Sequence, residues 1–113
     1  MKIMFVCYAN TSRSAMAEAI FKRMAGDDIE VYSSGIMAVE GKKSSPVAVE
    51  VCRAHGIDIT SHTATNFRNS NIEDMDLVLT LEDFYTQRVK DYYPDLKICT
   101  IKQFVDEYPP DIN

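Results

Sequence analysis

The sequence lacks long apolar runs and basic runs, and each absence excludes a class of protein. The longest apolar stretch near the N-terminus, Ile3 to Cys7, is far shorter than a signal peptide or the roughly 20 residues of a membrane span. The 12 basic and 17 acidic side chains give a formal charge of -5, which argues against a nucleic-acid surface. We therefore expect a cytoplasmic protein that binds neither membranes nor nucleic acids.

Cysteine is also scarce. Cys7, Cys52 and Cys99 cannot all pair with one another, and their spacing matches no zinc-binding motif. In a reducing compartment each is expected to stay reduced, and Cys52 and Cys99 are expected to be small buried side chains.

The sequence has no internal repeats and no low-complexity segment. At 113 residues it is expected to form one domain, residues 1–113.

Short apolar runs alternate with helical patterns along the chain. Strands are predicted at Lys2 to Tyr8, Ile29 to Ser33, Leu77 to Leu81 and Leu96 to Ile101, and helices at Ser14 to Ala25, Ser45 to about His55 and Glu82 to about Tyr92. This alternation predicts a three-layer α/β fold, a four-stranded parallel sheet with helices on both faces. Ligands bind such sheets beyond the carboxyl ends of strands, so the loop after the first strand is the first candidate site.

That loop begins at Cys7 and has the pattern Cys-x5-Arg-Ser. Inward-pointing N–H groups of such a loop form an anion site at a helix N-terminus, and Arg13 adds a planar fork for two phosphate oxygens. The positive field favours the thiolate form of Cys7, to which Ser14 can donate its hydroxyl. The pattern predicts a phosphatase-type enzyme with Cys7 as nucleophile. The alternative is a structural cysteine at a strand end, with Arg13 as a surface charge.

The segment VCYANTSRSAMAEAIFK resembles the signature of the low-molecular-weight protein-tyrosine phosphatases, C-x-G-N-x-C-R-S-P-M-A-E. The likeness continues in VYSSG at residues 31–35, in HGI at residues 55–57 and in Ser61-His62. The resemblance implies that Cys7 forms a cysteinyl-phosphate intermediate, without metal or cofactor, on a phosphorylated protein or small phosphoester. It also implies a phosphate-binding loop of Tyr8, Ala9, Asn10, Thr11, Ser12 and Arg13, supported by hydrogen bonds among Asn10, Ser14, Ser33 and His62.

Ser12 and Ala15 replace a cysteine and a proline of the family's pattern, and two further departures bear more directly on catalysis. Ala9 replaces a glycine, which strains the loop if that position needs a positive φ. The family's general-acid aspartate, in an Asp-Pro segment followed by a last helix, has no clear counterpart, and Asp106 and Asp111 are the nearby candidates. We therefore expect a domain without the acid loop and last helix, which turns over ordinary phosphoesters slowly and self-associates through an uncovered sheet face.

Three alternatives to a tyrosine phosphatase stay open. Thr11 occupies a position where the protein-arginine phosphatase branch has threonine, so phosphoarginine is a candidate substrate. Thioredoxin-coupled arsenate reductases share the loop but need two further cysteines after the third strand, where residues 81–85 contain none. The third alternative is a phosphate-binding module without efficient catalysis.

Overall fold

The computed structural model describes residues 1–107, in which four parallel strands alternate with helices. The strands are β1 (Lys2–Cys7), β2 (Glu30–Gly35), β3 (Leu77–Thr80) and β4 (Ile98–Thr100), and the helices are α1 (Arg13–Ala25), α2 (Pro46–Ala54), α3 (Asp83–Tyr92) and α4 (Ile101–Glu107). Two short 3₁₀ helices, Phe67–Asn69 and Ile72–Asp74, precede β3. The sheet order is β2-β1-β3-β4. The predicted α/β fold is therefore confirmed.

The two faces of the sheet pack against different helices, because successive strand side chains point to opposite faces. Met4 and Val6 of β1 belong to the core that includes α3. Ile3 and Phe5 belong to the opposite core, against which α1 and α4 pack. Helix α2 lies on α1 and buries Cys52 in their contact. Helices thus cover both faces, as predicted.

Helix α4 is the main difference from the sequence-based prediction, which continued the last strand to Ile101. Thr100 Oγ1 accepts a hydrogen bond from the Gln103 N–H at 3.0 Å, and Gln103 Oε1 accepts one from the Thr100 N–H at 2.9 Å. This reciprocal pair is a capping box, which starts a helix. Ile101 consequently turns into the core on the α1 face. Self-association through a bare part of that face stays a prediction.

The sheet topology places the loop after β1 at a point where the strand order reverses. The chain passes from β1 to β2 on one side and then crosses back to β3 on the other, which creates a crevice at the carboxyl end of β1. The loop lies directly on the last residue of β2. A Cβ atom added to Gly35 would lie 2.5 Å from the Tyr8 carbonyl oxygen and 2.9 Å from the Asn10 nitrogen.

We predict that Gly35→Ala distorts the loop, because backbone atoms rather than a flexible side chain meet the new methyl group. Overpacking of this kind destabilises by about 1–3 kcal/mol, and binding of inorganic phosphate should weaken. Thermal unfolding and calorimetric titration measure the two effects.

The matched control is Gly26→Ala, where φ is 74° and no atom lies within 4 Å of the added Cβ. Its φ of 74° and ψ of -171° form a combination that essentially only glycine adopts, so the substitution costs about 1–3 kcal/mol and should leave phosphate binding unchanged. Parent-like phosphate binding by Gly35→Ala would contradict the packing of the loop on β2.

Candidate active site

The loop after β1 is held in place by its carbonyl oxygens. Those of Cys7 and Tyr8 accept hydrogen bonds from the two residues that follow β2, at 2.9 Å each, and that of Thr11 accepts one from the Ser45 N–H at 2.8 Å. Within residues 1–107, the N–H groups of residues 8–14 have no hydrogen-bond acceptor. With these carbonyls turned outward, the N–H groups are available to an anion inside the loop.

Helix α1 begins at the end of this loop without a side-chain cap. Ser12 occupies the N-cap position, but its hydroxyl lies 2.7 Å from the Ser45 hydroxyl and bonds no N–H group of the helix. The first turn carries no acidic residue. The helix start therefore offers its N–H groups and the positive end of its dipole to an anion.

Asn10 holds the loop from the inside. Its side chain is fully buried; Nδ2 donates to Ser14 Oγ at 2.8 Å and to Ser33 Oγ at 2.9 Å, and Oδ1 accepts from the Thr65 N–H at 2.9 Å. The Asn10 carbonyl oxygen lies 2.9 Å from His62 Nε2, which donates because a carbonyl can only accept. The structure thus brings Asn10, Ser14, Ser33 and His62 into one hydrogen-bonded set.

This set orients the hydroxyl of Ser14 toward the sulfur of Cys7. Asn10 Nδ2 has two hydrogens, one for each serine oxygen, so Ser14 accepts from Asn10 and must use its own hydrogen elsewhere. Cys7 Sγ lies 2.8 Å away, and the carbonyl oxygen of Ser34 lies at 3.4 Å. The shorter contact favours donation to the sulfur. Cys7 is only 3% exposed, so water contributes little to solvating its sulfur. The Ser14 hydroxyl is therefore well placed to stabilise a thiolate there.

The strained backbone position of the loop is Asn10 and not Ala9. Asn10 has φ 58°, the one positive φ of a non-glycine residue in the described part of the chain. Asparagine tolerates this left-handed conformation better than most residues do. The positive-φ penalty considered for alanine at position 9 therefore does not arise. Tyr8, the residue after the cysteine, is half exposed at the rim of the loop.

Arg13 is anchored to the segment that follows β3. Its Nη1 lies 3.1 Å from Glu82 Oε1, and its Nη2 donates to the Tyr85 hydroxyl at 2.7 Å. The hydrogen bonds to Glu82 and then Tyr85 raise the pKa of Arg13, which is already the strongest base among side chains. Sequence analysis missed both partners, because only the parallel pairing of β1 with β3 brings these distant residues together.

A cleft of about 410 Å³ lies beside Glu82, the ion-pair partner of Arg13. The cleft lies at the carboxyl ends of β3 and β4 and is lined by Leu81, Glu82, Asp83, Thr100, Lys102, Gln103 and Asp106. Asp106, a candidate general acid, thus shares a cleft with Glu82, which contacts Arg13. Asp111, the other candidate, lies outside the described residues.

Three further findings concern metals, membranes and thiols. Over residues 1–107, no three His, Cys, Asp or Glu side chains are grouped so as to hold a metal ion. No helix in the same range is long and apolar enough to cross a membrane. Cys52 is buried and free, as expected of a structural thiol, whereas Cys99, also expected to be buried, is only half-buried. Residues 81–85 after β3 contain no cysteine.

Comparison with known proteins finds similar sequences and structures. The sequence profile of the family "Low molecular weight phosphotyrosine protein phosphatase" matches residues 2–111. The low molecular weight protein-tyrosine-phosphatase PtpB of Staphylococcus haemolyticus (strain JCSC1435) is 35% identical over 108 residues, which cover 95% of this chain and 76% of PtpB. An arsenate reductase of Staphylococcus aureus (strain Newman) is 42% identical over 79 residues, which cover 70% of this chain and 58% of that protein.

Among solved structures, a YwlE arginine phosphatase matches with a TM-score of 0.89 and 33% identity. The match covers 98% of this chain and 76% of that one. The solved protein is a Cys-to-Ser mutant with a phosphorylated active-site serine.

We predict that Asn10→Gly destabilises the protein by about 2 kcal/mol or more, because it leaves buried serine and N–H groups without partners. Asn10→Ala loses the same hydrogen bonds and also pays about 1–2 kcal/mol for its left-handed backbone. Denaturant unfolding of the two variants separates these effects. An Asn10→Gly variant as stable as the parent chain would contradict the supporting role of the amide.

Proposed function

The chain belongs to the low molecular weight phosphotyrosine protein phosphatase family, and on this premise we propose that it hydrolyses phosphotyrosine-like phosphoesters of proteins through a cysteinyl-phosphate intermediate. The observation that carries the proposal is the 2.8 Å contact between Cys7 Sγ and Ser14 Oγ, at the floor of a loop whose N–H groups are available to an anion. Phosphorylation of the active-site serine in the similar Cys-to-Ser mutant supports attack on phosphorus from this position.

In the first step, the Cys7 thiolate attacks phosphorus, so that the S–P bond forms while the bond from phosphorus to the ester oxygen breaks. Charge on the three equatorial oxygens is stabilised by the loop N–H groups and by Arg13. The leaving oxygen departs as a phenolate or takes a proton from a general acid. Among the described residues, Asp106 is the candidate for that acid.

In the second step, a water molecule attacks phosphorus opposite the sulfur and gives its proton to the carboxylate form of the acid. The S–P bond breaks, and the sulfur leaves as a thiolate that again accepts the hydrogen bond of Ser14. Inorganic phosphate is then released. Neither step, as proposed, requires a metal ion or another cofactor.

Thr11 favours a second substrate class, phosphoarginine. It lies part-buried in the phosphate loop, and the similar solved structure is named an arginine phosphatase. A threonine hydroxyl can hydrogen-bond the polar guanidinium group of phosphoarginine, whereas an apolar residue at the same place leaves that group unpaired. Arsenate reduction has less support, because its two additional cysteines are absent after β3.

We also propose that the protein acts in the cytoplasm, which the free thiols of Cys7 and Cys52 support. Its partners in this proposal are phosphorylated proteins. Self-association through an uncovered sheet face is also proposed, and sedimentation measures it.

We predict that the chain hydrolyses p-nitrophenyl phosphate and that Cys7→Ser lowers the rate by about 10³-fold or more, because the nucleophile is lost. EDTA should have no effect on the parent chain. Cys52→Ser is the matched control and should retain parent activity. Activity that survives Cys7→Ser would contradict the proposal, whereas phosphate binding without any turnover by the parent would favour a binding module.

We predict that Thr11→Val, which exchanges a hydroxyl for a methyl group of similar shape, selectively impairs phosphoarginine turnover. The ratio of kcat/KM for a phosphoarginine peptide to that for a phosphotyrosine peptide should fall about tenfold, as expected when a substrate N–H loses its partner. An unchanged ratio would exclude the Thr11 hydroxyl from substrate selection.

A further inference from the structure

Tyr85 carries a hydroxyl group that its place in the core does not require. Its ring is only 6% exposed and packs in the core on the α3 face of the sheet. Phenylalanine would fill that space with the same ring. Within residues 1–107, the hydrogen-bond partner of the hydroxyl is Arg13, whose Nη2 lies 2.7 Å away. The hydroxyl thus contacts Arg13 of the phosphate loop and adds nothing to the packing of the core.

The two anchors of Arg13 use two of the five N–H donors of its guanidinium group. Glu82 takes a hydrogen from Nη1 and Tyr85 takes one from Nη2. Nε–H contacts neither anchor, and Nη1 and Nη2 each keep a second hydrogen, so the group can still present a pair of neighbouring donors. A pair of this kind is the arrangement that binds two oxygens of a phosphate.

Of the two anchors, Tyr85 is the rigid one. The side chains of Arg13 and Glu82 are 49% and 57% exposed, and an ion pair of that kind holds geometry weakly because solvent and salt screen it. The ring of Tyr85 is fixed by the core, and the Arg13 guanidinium carbon lies 5.7 Å from its centroid. The position of the arginine fork is therefore set mainly by a residue 72 positions away in sequence.

We propose that Tyr85 is a positioning residue for the phosphatase reaction: its buried hydroxyl fixes the guanidinium plane of Arg13, so that two N–H groups face the equatorial oxygens of the transferring phosphoryl group. This inference rests on the proposed function. Preorganised donors stabilise the transition state without reorganising during the step. The thiolate of Cys7 depends on Ser14 and the loop N–H groups, so Tyr85 acts on phosphate and leaves the reactivity of the sulfur unchanged.

The test compares Tyr85→Phe, which removes only the hydroxyl, with Tyr92→Phe near the other end of α3. The hydroxyl of Tyr92 is remote from the loop, and its ring lies under Arg68.

Three quantities are measured in the full chain: kcat/KM for p-nitrophenyl phosphate, the dissociation constant of inorganic phosphate and the rate of Cys7 alkylation by iodoacetamide. Tyr85→Phe should lower kcat/KM about 5- to 30-fold and weaken phosphate binding about 3- to 10-fold. Alkylation should match the parent rate, and Tyr92→Phe should change none of the three.

A double-mutant cycle shows whether the effect passes through the arginine. If it does, Tyr85→Phe adds nothing to the loss caused by Arg13→Lys, because coupled residues are not additive. A full additional loss in the double variant would overturn the proposal. Glu82→Gln is a less direct test, since it also removes a negative charge that repels phosphate.

Other results would overturn the proposal in distinct ways. Unchanged turnover and phosphate binding in Tyr85→Phe would show that the hydroxyl has no role. Tighter phosphate binding would show that Tyr85 holds Arg13 away from the ligand. Alkylation slowed as much as turnover would indicate a general collapse of the loop. A parent chain that neither binds nor hydrolyses phosphate would instead contradict the proposed function itself.

Discussion

The buried side-chain amide of Asn10 is the interaction on which the phosphate loop depends. It bonds two serines, one at the start of α1 and one in β2, and it also accepts a hydrogen bond from the backbone at Thr65. An amide has two donor hydrogens, so its bonds to both serine oxygens leave the hydrogen of Ser14 for the sulfur of Cys7. One side chain thereby sets the curvature of the loop and the polarity of the contact with its nucleophile.

The sheet supplies the contacts of the phosphate loop with distant segments, which the Asn10 hydrogen bonds do not provide. Parallel strands end at the same edge, so the loop after β1 meets both the end of β2 at Gly35 and the helix that follows β3. On the β2 side the contact is backbone against backbone, which leaves no room for a side chain. On the β3 side it is the anchoring of Arg13 by Tyr85 and Glu82. The reacting sulfur and the arginine are thus held from opposite sides of β1.

The sequence was most informative where function requires adjacent residues. The spacing of Cys7 and Arg13 between a strand and a helix predicted the loop, and alternating strands and helices predicted the sheet. Contacts between distant segments, such as Tyr85 with Arg13, leave no local pattern. Two errors were local: α4 was missed although Thr100 and Gln103 form a capping box, and positive φ was considered at Ala9 although Asn10 is the residue that tolerates it.

The central claim is that the ordered Ser14 hydroxyl and the loop N–H groups make Cys7 the atom that accepts the phosphoryl group. The most direct measurement is to mix the chain with a phosphorus-labelled aryl phosphate, quench it in denaturant during turnover, and locate the label by peptide mapping. The account predicts phosphate on the peptide containing Cys7, lost on further incubation and absent in the Cys7→Ser chain under the same brief exposure. Turnover with no labelled enzyme, or with label on a peptide lacking Cys7, would contradict it.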